Sequence, residues 1–387
     1  MIASRFALRR GRRALGVFGV FGAFGAVGLA ALLGACASSK PAPTPLEPLT
    51  PKIAAASLWN ASVGGVKFPL AVSVQPNSFT VAGDDGTVLA LDAQTGRELW
   101  RGNAGGAISA GVGSDGRFAS VVTRSGDLVV LEQGRVTWRK PLGTRVTTAP
   151  LVAGERVFVL GVDRSVQAFD AVDGRKLWVL QRPGDPLTLS QSGVVTAFKD
   201  TLVVGQGPRM SGLDPSRGTV RWEVVLGSPR GANEIERLAD LVGPATRVGE
   251  LICARSFQAA VGCVNADRGT VAWSKNVGGT DAVAADAQFV VGSDASDRIS
   301  AWKTPSGDAG WTSDKLLHRG LSAPLIIGAS VLFGDADGTL HWLARETGDA
   351  QLRLPTDGSA IAAPPVALGQ VVLAVTRKGG LYALRAP

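Results

Sequence analysis

Gly86-Thr87-Val88-Leu89-Ala90-Leu91-Asp92-Ala93-Gln94-Thr95-Gly96-Arg97-Glu98-Leu99-Trp100 is the stretch that decides the fold. Val88 and Ala90 alternate as on a half-buried strand. Asp92 closes that strand, where a carboxylate can accept hydrogen bonds from turn amides. Gly96, four residues on, tolerates a left-handed backbone. Trp100 then falls on the returning strand, so the stretch predicts a hairpin with an indole on its second arm.

The pattern recurs. Ser165 to Trp178, Arg209 to Trp222, Ala260 to Trp273, Arg298 to Trp311 and Gly338 to Leu352 follow one template, and Gly126 to Trp138 is two residues short in its turn. The gaps along Trp59, Trp100, Trp138, Trp178, Trp222, Trp273, Trp311 and Leu352 are 41, 38, 40, 44, 51, 38 and 41. A fixed period of this size marks a repeat architecture. Eight apolar runs, from Phe79-Val81 to Val371-Val375, precede the units, and Pro150, Pro244, Pro324 and Pro364 mark further strand starts, where a missing donor is tolerated.

Four short strands repeated eight times predict an all-β, eight-bladed propeller with four-stranded blades. The last repeat, Gly380 to Leu384, stops before any outer strand, while Ser57-Leu58-Trp59 stands alone. The N-terminal strand is therefore expected to complete the final blade and remove an open edge. Each Trp buries on the order of 150–250 Å², worth at most about 4–6 kcal/mol. The series is expected to pack between blades rather than to stack on nucleic acid. Trp302 and Trp342 fall off the beat and are the candidates for an exposed, sugar-binding aromatic.

The chain has 387 residues and a formal charge of +8. Five arginines among the first 35 residues account for most of that, leaving 35 basic and 32 acidic groups. A near-neutral body gives no electrostatic case for nucleic acid. Arg5, Arg9, Arg10, Arg12 and Arg13 precede an uncharged run from Ala14 to Leu33 and then Leu33-Gly34-Ala35-Cys36. Positive charge, apolar core and small residues form an export signal. The Leu-Gly-Ala-Cys ending resembles the bacterial lipoprotein signal, which implies cleavage after residue 35 and acylation of Cys36. A retained transmembrane anchor is the alternative, since about twenty apolar residues can span a bilayer. Ala37 stands where an Asp would signal inner-membrane retention in enteric bacteria, so the resemblance implies an outer-membrane protein, lipid-anchored and facing the periplasm. The expected organisation is a signal peptide at 1–35, a lipidated Cys and proline-rich tether at 36–56, and the propeller at 57–387. Extended at about 3.1 Å per residue, the tether would reach roughly 60 Å.

Cys253 and Cys263 lie on neighbouring arms of one predicted hairpin. An oxidising compartment favours a cross-strand disulfide, and two buried thiols are the other reading. The two histidines, His318 and His341, have no metal-site spacing, and no glycine-rich phosphate loop follows a strand. Asp84, Asp85, Asp294, Asp335 and Asp337 sit by predicted turns and are expected to cap backbone amides. No cofactor is expected. The repeat Ala-Leu-Asp-x-x-Thr-Gly-x-x-x-Trp resembles that of pyrroloquinoline-quinone dehydrogenases, which implies a periplasmic quinoprotein-like oxidoreductase or cofactor-binding propeller as the alternative function. Those enzymes carry adjacent cysteines at the cofactor, and none occur here.

The 51-residue gap holds an insertion, Gly227 to Pro244, and insertions in propellers map to loops on one face, often the binding face. Ile235, Leu238 and Leu241 interleave with polar residues, a spacing that allows a short helical turn. Within it, Asn233-Glu234-Ile235-Glu236-Arg237-Leu238-Ala239-Asp240 resembles the glutamate-isoleucine-x-arginine-leucine-x-aspartate loop of the propeller lipoprotein family of the β-barrel assembly machinery. Leu316-Leu317-His318-Arg319 and Gly338-Thr339-Leu340-His341-Trp342 resemble two further signatures of that family. The resemblance implies a non-enzymatic subunit that binds the periplasmic domains of the barrel-forming core protein and aids insertion of outer-membrane proteins, with unfolded barrel proteins as further partners. It implies contact residues at Leu187, Leu189, Glu234, Arg237 and Asp240. Ser190 stands where the family has an arginine and Val242 where it has a second acid, so a more apolar interface is expected.

Overall fold

The computed structural model describes residues 41–182, 187–228 and 231–386. The export signal and Cys36 lie outside the described residues, as does Pro186 beside Leu187. From residue 43 onward the chain forms one compact unit of eight antiparallel sheets, each four-stranded. Blade 1 runs Ser73–Gln75, Ser78–Ala82, Thr87–Asp92, Glu98–Asn103, and blades 2 to 7 repeat that order in sequence. Blade 8 takes three strands from the C-terminus, Val366–Leu368, Val371–Val375 and Gly380–Arg385, and its outer strand, Ala56–Ser62, from the N-terminus. Trp59 pairs with Ala383 in that clasp. First strands of successive blades touch all the way round, and that of blade 8 touches that of blade 1, closing the ring.

The second strand of each blade is almost wholly buried; Phe118–Thr123 and Ser330–Gly334 expose nothing. The fourth strands alternate or are half exposed, as in Glu98–Asn103. Because neighbouring strands are antiparallel, the turns between second and third strands share one face with the blade-to-blade connections. We call this the loop face. The turns between third and fourth strands lie on the opposite, turn face.

The indoles seal the seams. The Nε1–H of Trp138, on blade 2, donates to the carbonyl of Ala171 in blade 3 at 2.8 Å. Trp59 does the same to Ala93, Trp178 to Pro215, Trp273 to Thr304 and Trp311 to Arg345, each in the third-to-fourth-strand turn of the next blade. The ring lies flat on the turn glycine: a Cβ at Gly218, whose φ is +72°, would sit 2.5 Å from the Trp178 ring. That glycine is demanded twice, by its left-handed backbone and by the neighbouring indole. Gly218→Ala is expected to destabilise the propeller by about 2–4 kcal/mol, combining left-handed strain with overpacking. Urea unfolding would measure it, and a loss under about 1 kcal/mol would refute the seam argument.

The departures from the beat have local causes. Trp100 faces blade 2, whose turn, Gln133-Gly134, is two residues short, and it is only half-buried. Leu352 fills the slot in blade 7 because the next blade has no such turn: its fourth strand is Ala56–Ser62, from the N-terminal side. Leu352 packs instead with Leu384, Ala386, Ile53 and Ala55. Trp302 and Trp342 are 7% and 0% exposed, so neither offers the aromatic surface a sugar would need. Trp342 fills the core between blades 7 and 8, and Trp302 packs beside Trp273 and Cys253.

Three further expectations are corrected. Pro244 does not start its strand; the strand runs Leu241–Val248, and Pro244 sits where its pairing is interrupted between Val242 and Thr246. Asp85, Asp294 and Asp335 do accept turn amides, at Thr87, Ser296 and Thr339. Asp84 instead pairs with Lys67 and Arg124, and Asp337 with Arg319. Finally, the proline-rich stretch is not free over its whole length. Thr44 donates its N–H to Leu317 and Lys52 to Gln351, while Leu46 joins the core at Leu316.

Candidate functional site: the loop face

Two blade-to-blade connections build the site. The first, from blade 3 to blade 4, carries Leu187, Thr188 and Leu189. The second, from blade 4 to blade 5, carries the insertion. Both arrive on the loop face, which is why residues about fifty positions apart meet.

The insertion is ordered by its own sequence. Asn233 Oδ1 accepts the N–H of Glu236 at 2.9 Å, and the Glu236 carboxylate reaches back to Ala232 N–H at 2.8 Å and Asn233 Nδ2 at 2.9 Å. This is a variant of the capping box, with the reciprocal bonds going to the amide before the cap and to the cap's own side chain, and it opens a helical turn. A single turn follows, with Arg237 N–H donating to Asn233. Glu234 and Arg237 project from it exposed, and Ile235 is 73% exposed. Leu238 is half-buried, and Ala239 and Leu241 are buried. The turn thus stands on an apolar foot and displays an isoleucine, a residue absent from the contact set drawn from the resemblance. Its place in the Glu-Ile-x-Arg-Leu-x-Asp motif was the available signal.

Asp240 joins the two connections. Its Oδ2 accepts the backbone N–H of Leu189 at 3.2 Å, its Oδ1 lies 3.6 Å from Arg164 Nη2, and its carbonyl accepts Phe257 N–H at 2.9 Å. Arg164, on the turn between second and third strands of blade 3, has no distinguishing pattern in the sequence. Leu189 is half-buried against Val242, Ala282, Ala323 and Phe257, whereas Leu187 is 36% exposed. The structure therefore brings Leu189 and Asp240 together and leaves Leu187, Glu234, Ile235 and Arg237 facing outward. Val242, at the position where the family carries an acid, is buried beneath Leu189.

A shallow cleft opens beside them, lined by Thr147, Arg164, Thr188, Leu189, Gln191 and Asp240. Beneath the next connection, buried Arg255 donates to the carbonyls of Gly278 and Ser293, both at 2.8 Å. Burial lowers its pKa to about 10, and burial likewise raises that of neighbouring Asp281. Cys253 and Cys263, directly opposed on the second and third strands of blade 5, are joined by a disulfide.

The remaining signatures converge on one buried carboxylate. Arg319 Nε and Nη2 donate to Asp335 Oδ2 at 2.9 and 2.8 Å, and His341 Nε2 lies 2.9 Å from the same oxygen. Asp335 Oδ1 accepts the N–H groups of Asp337 and Thr339. Burial raises the Asp335 pKa, but the His341, Thr339 and Arg319 hydrogen bonds outweigh it and hold the carboxyl below its ordinary range. Arg319 and His341 are buried and thus brace blade 7.

These features define a repeat-built propeller with a loop-borne surface, of the same architecture as the quinoprotein propellers. The family model described as outer membrane protein assembly factor BamB matches residues 84–313. Over 361 residues the chain is 36% identical to outer membrane protein assembly factor BamB of Burkholderia pseudomallei, covering 92% of this chain and 95% of that protein. The homologous factor of Bordetella pertussis is 33% identical over 89% of this chain and 90% of its own. The crystal structure of BamB from Moraxella catarrhalis superposes with a TM-score of 0.78 at 23% identity, covering 86% of this chain and all of that one. A quinohemoprotein alcohol dehydrogenase from Comamonas testosteroni, at 16% identity and a TM-score of 0.63 over 86% of this chain and 77% of its own, shares the fold alone. The chain belongs to the outer membrane protein assembly factor BamB family. It is thereby a non-enzymatic assembly factor, and membership implies partners of the Bam complex and an outer-membrane lipoprotein.

Proposed function

We propose that this chain is a scaffold that grips the periplasmic domains of the barrel-forming core subunit through its loop face, held to the outer membrane by acylated Cys36. The hydrogen bond from Leu189 N–H to Asp240 Oδ2 carries this reading. It ties the two connections that the family resemblance singles out into one surface on the closed ring. Leu187, Glu234 and Arg237 supply the contact groups, and Asp240 fixes their platform. Ser190, in place of an arginine, takes a charge off the contact surface, while buried Val242, in place of a second acid, packs beneath Leu189 and supports the platform.

Co-purification from solubilised membranes tests this. The native chain is expected to bring down the core subunit. A Leu187→Ala, Leu189→Ala, Asp240→Ala variant, folded by circular dichroism, is expected to lose it. An unchanged yield of the core subunit would remove the proposed interface.

A further inference from the structure

The stretch before the first strand takes a defined course. Thr44 N–H donates to Leu317 at 2.9 Å, and the Thr44 carbonyl accepts Arg319 Nη1 at 3.3 Å. Leu317 and Arg319 belong to the connection from blade 6 to blade 7, which lies on the loop face: His318 N–H donates to Ser296 and Ala336 N–H to Arg319, both bonds among that face's turns. Leu46 packs with Leu316, and Arg353 donates to the Glu47 carbonyl. Lys52 N–H then donates to Gln351 at 2.8 Å, near the start of blade 7's outer strand Ala350–Pro355. Ile53 and Ala55 pack with Leu352 and Leu384. The chain has by then descended the outside of blade 7 to the turn face, where Ala56 pairs with Arg385 and the clasp strand climbs back.

We propose that Thr44 to Ala55 is a docked strap that moves the point where the lipid-bearing end leaves the propeller. Undocked, that end would leave at Ala56, on the turn face. Docked, it leaves at Thr44, on the loop face, the side of the proposed partner surface. Only seven residues, 37 to 43, then separate Cys36 from Thr44. At about 3.1 Å per residue they reach about 22 Å, against roughly 60 Å for the whole stretch. The strap holds the loop face toward the bilayer and covers the free edge of blade 7 where Lys52 bonds it.

The membrane side of this inference rests on acylation of Cys36; the docking does not. Hydrogen exchange on the solubilised full-length lipoprotein reads the docking. The Thr44 and Lys52 amides are expected to exchange at least about tenfold slower than in Leu46→Asp, which changes the strap alone, and in Arg353→Ala, which trims the blade 7 side chain that holds the Glu47 carbonyl. Equal, fast exchange in the native chain overturns it. Orientation is read in vesicles by energy transfer to an acceptor lipid from a dye on a Lys378→Cys variant, at the loop face of blade 8, or on a Gln370→Cys variant, at its turn face. The loop-face dye is expected to transfer more strongly, with the contrast lost on adding Leu46→Asp. Equal transfer, or the reverse order, overturns the face assignment. Peptide mass at Cys36 separates the failures: an unmodified Cys36 with a protected strap overturns the anchor reading and the face assignment while the docking stands.

Discussion

Asp335→Ala is expected to remove about 3–5 kcal/mol of stability. The side chain is fully buried and accepts from Arg319, His341 and two backbone amides. Deleting it leaves the Arg319 guanidinium, 8% exposed, with only the exposed Asp337 carboxylate and the Thr44 carbonyl, and leaves an imidazole at 1% exposure without its partner. The cost comes less from the lost attraction than from Arg319 Nε, His341 and the two turn amides left buried without acceptors. Urea unfolding of the two proteins at neutral pH measures it; a loss below about 1 kcal/mol would mean that blade 7 collapses onto the gap or admits water. Asp335→Asn keeps the shape and loses the charge, and its pH dependence checks the mechanism. A carboxyl whose folded pKa lies below its unfolded value, about 3.9, contributes stability above that value and loses it as pH falls through the folded one. The gap between native chain and Asp335→Asn should therefore be full at pH 7 and close below about pH 4. Arg319 also holds Thr44, so slackening of the strap should accompany the loss.

The eight blades were legible because the physics that makes a seam repeats with the seam. An indole on the outer strand needs a glycine turn on the next blade, and both carry strong local signatures. Trp138 and Gly174 are readable singly and confirm each other. The missing tryptophan at Leu352 was visible too, although its cause, a neighbouring blade without the turn, needs the topology of the clasp. The loop face was half legible. The Asn233–Glu236 capping box is local, so its turn could be inferred, yet the tie from Asp240 to Leu189 spans fifty residues and obeys no period. Arg164 was hidden for the same reason: one arginine on one turn looks like any other. The strap misled the sequence reading because proline-rich composition describes a chain's stiffness and says nothing of a groove it can lie in. Leu46, Ile53 and Ala55, the apolar residues that dock it, were its trace in the sequence.

Asp240→Ala is expected to weaken binding to the core subunit by about tenfold, a loss of about 1.4 kcal/mol, although the carboxylate faces inward. The reasoning runs through the loop. With Oδ2 gone, Leu189 N–H loses its acceptor and Arg164 its counter-charge, and the connection bearing Leu187 must be ordered again on binding. Asp240→Asn separates this from a direct charge contact. Its amide oxygen can still accept from Leu189, so a positioning role leaves affinity within about threefold, whereas an ion pair with a basic group on the partner would make Asn as harmful as Ala. Leu187→Ala together with Ile235→Ala strips the outward apolar groups without touching the tie and is expected to cost at least about a hundredfold, since buried apolar anchors dominate interfaces of this kind. Titration of the purified propeller against the periplasmic domains of the core subunit measures all three. Equal losses for Asn and Ala would transfer Asp240 from the platform to the contact surface, and an undiminished affinity in the Leu187, Ile235 pair would move the interface off these connections altogether.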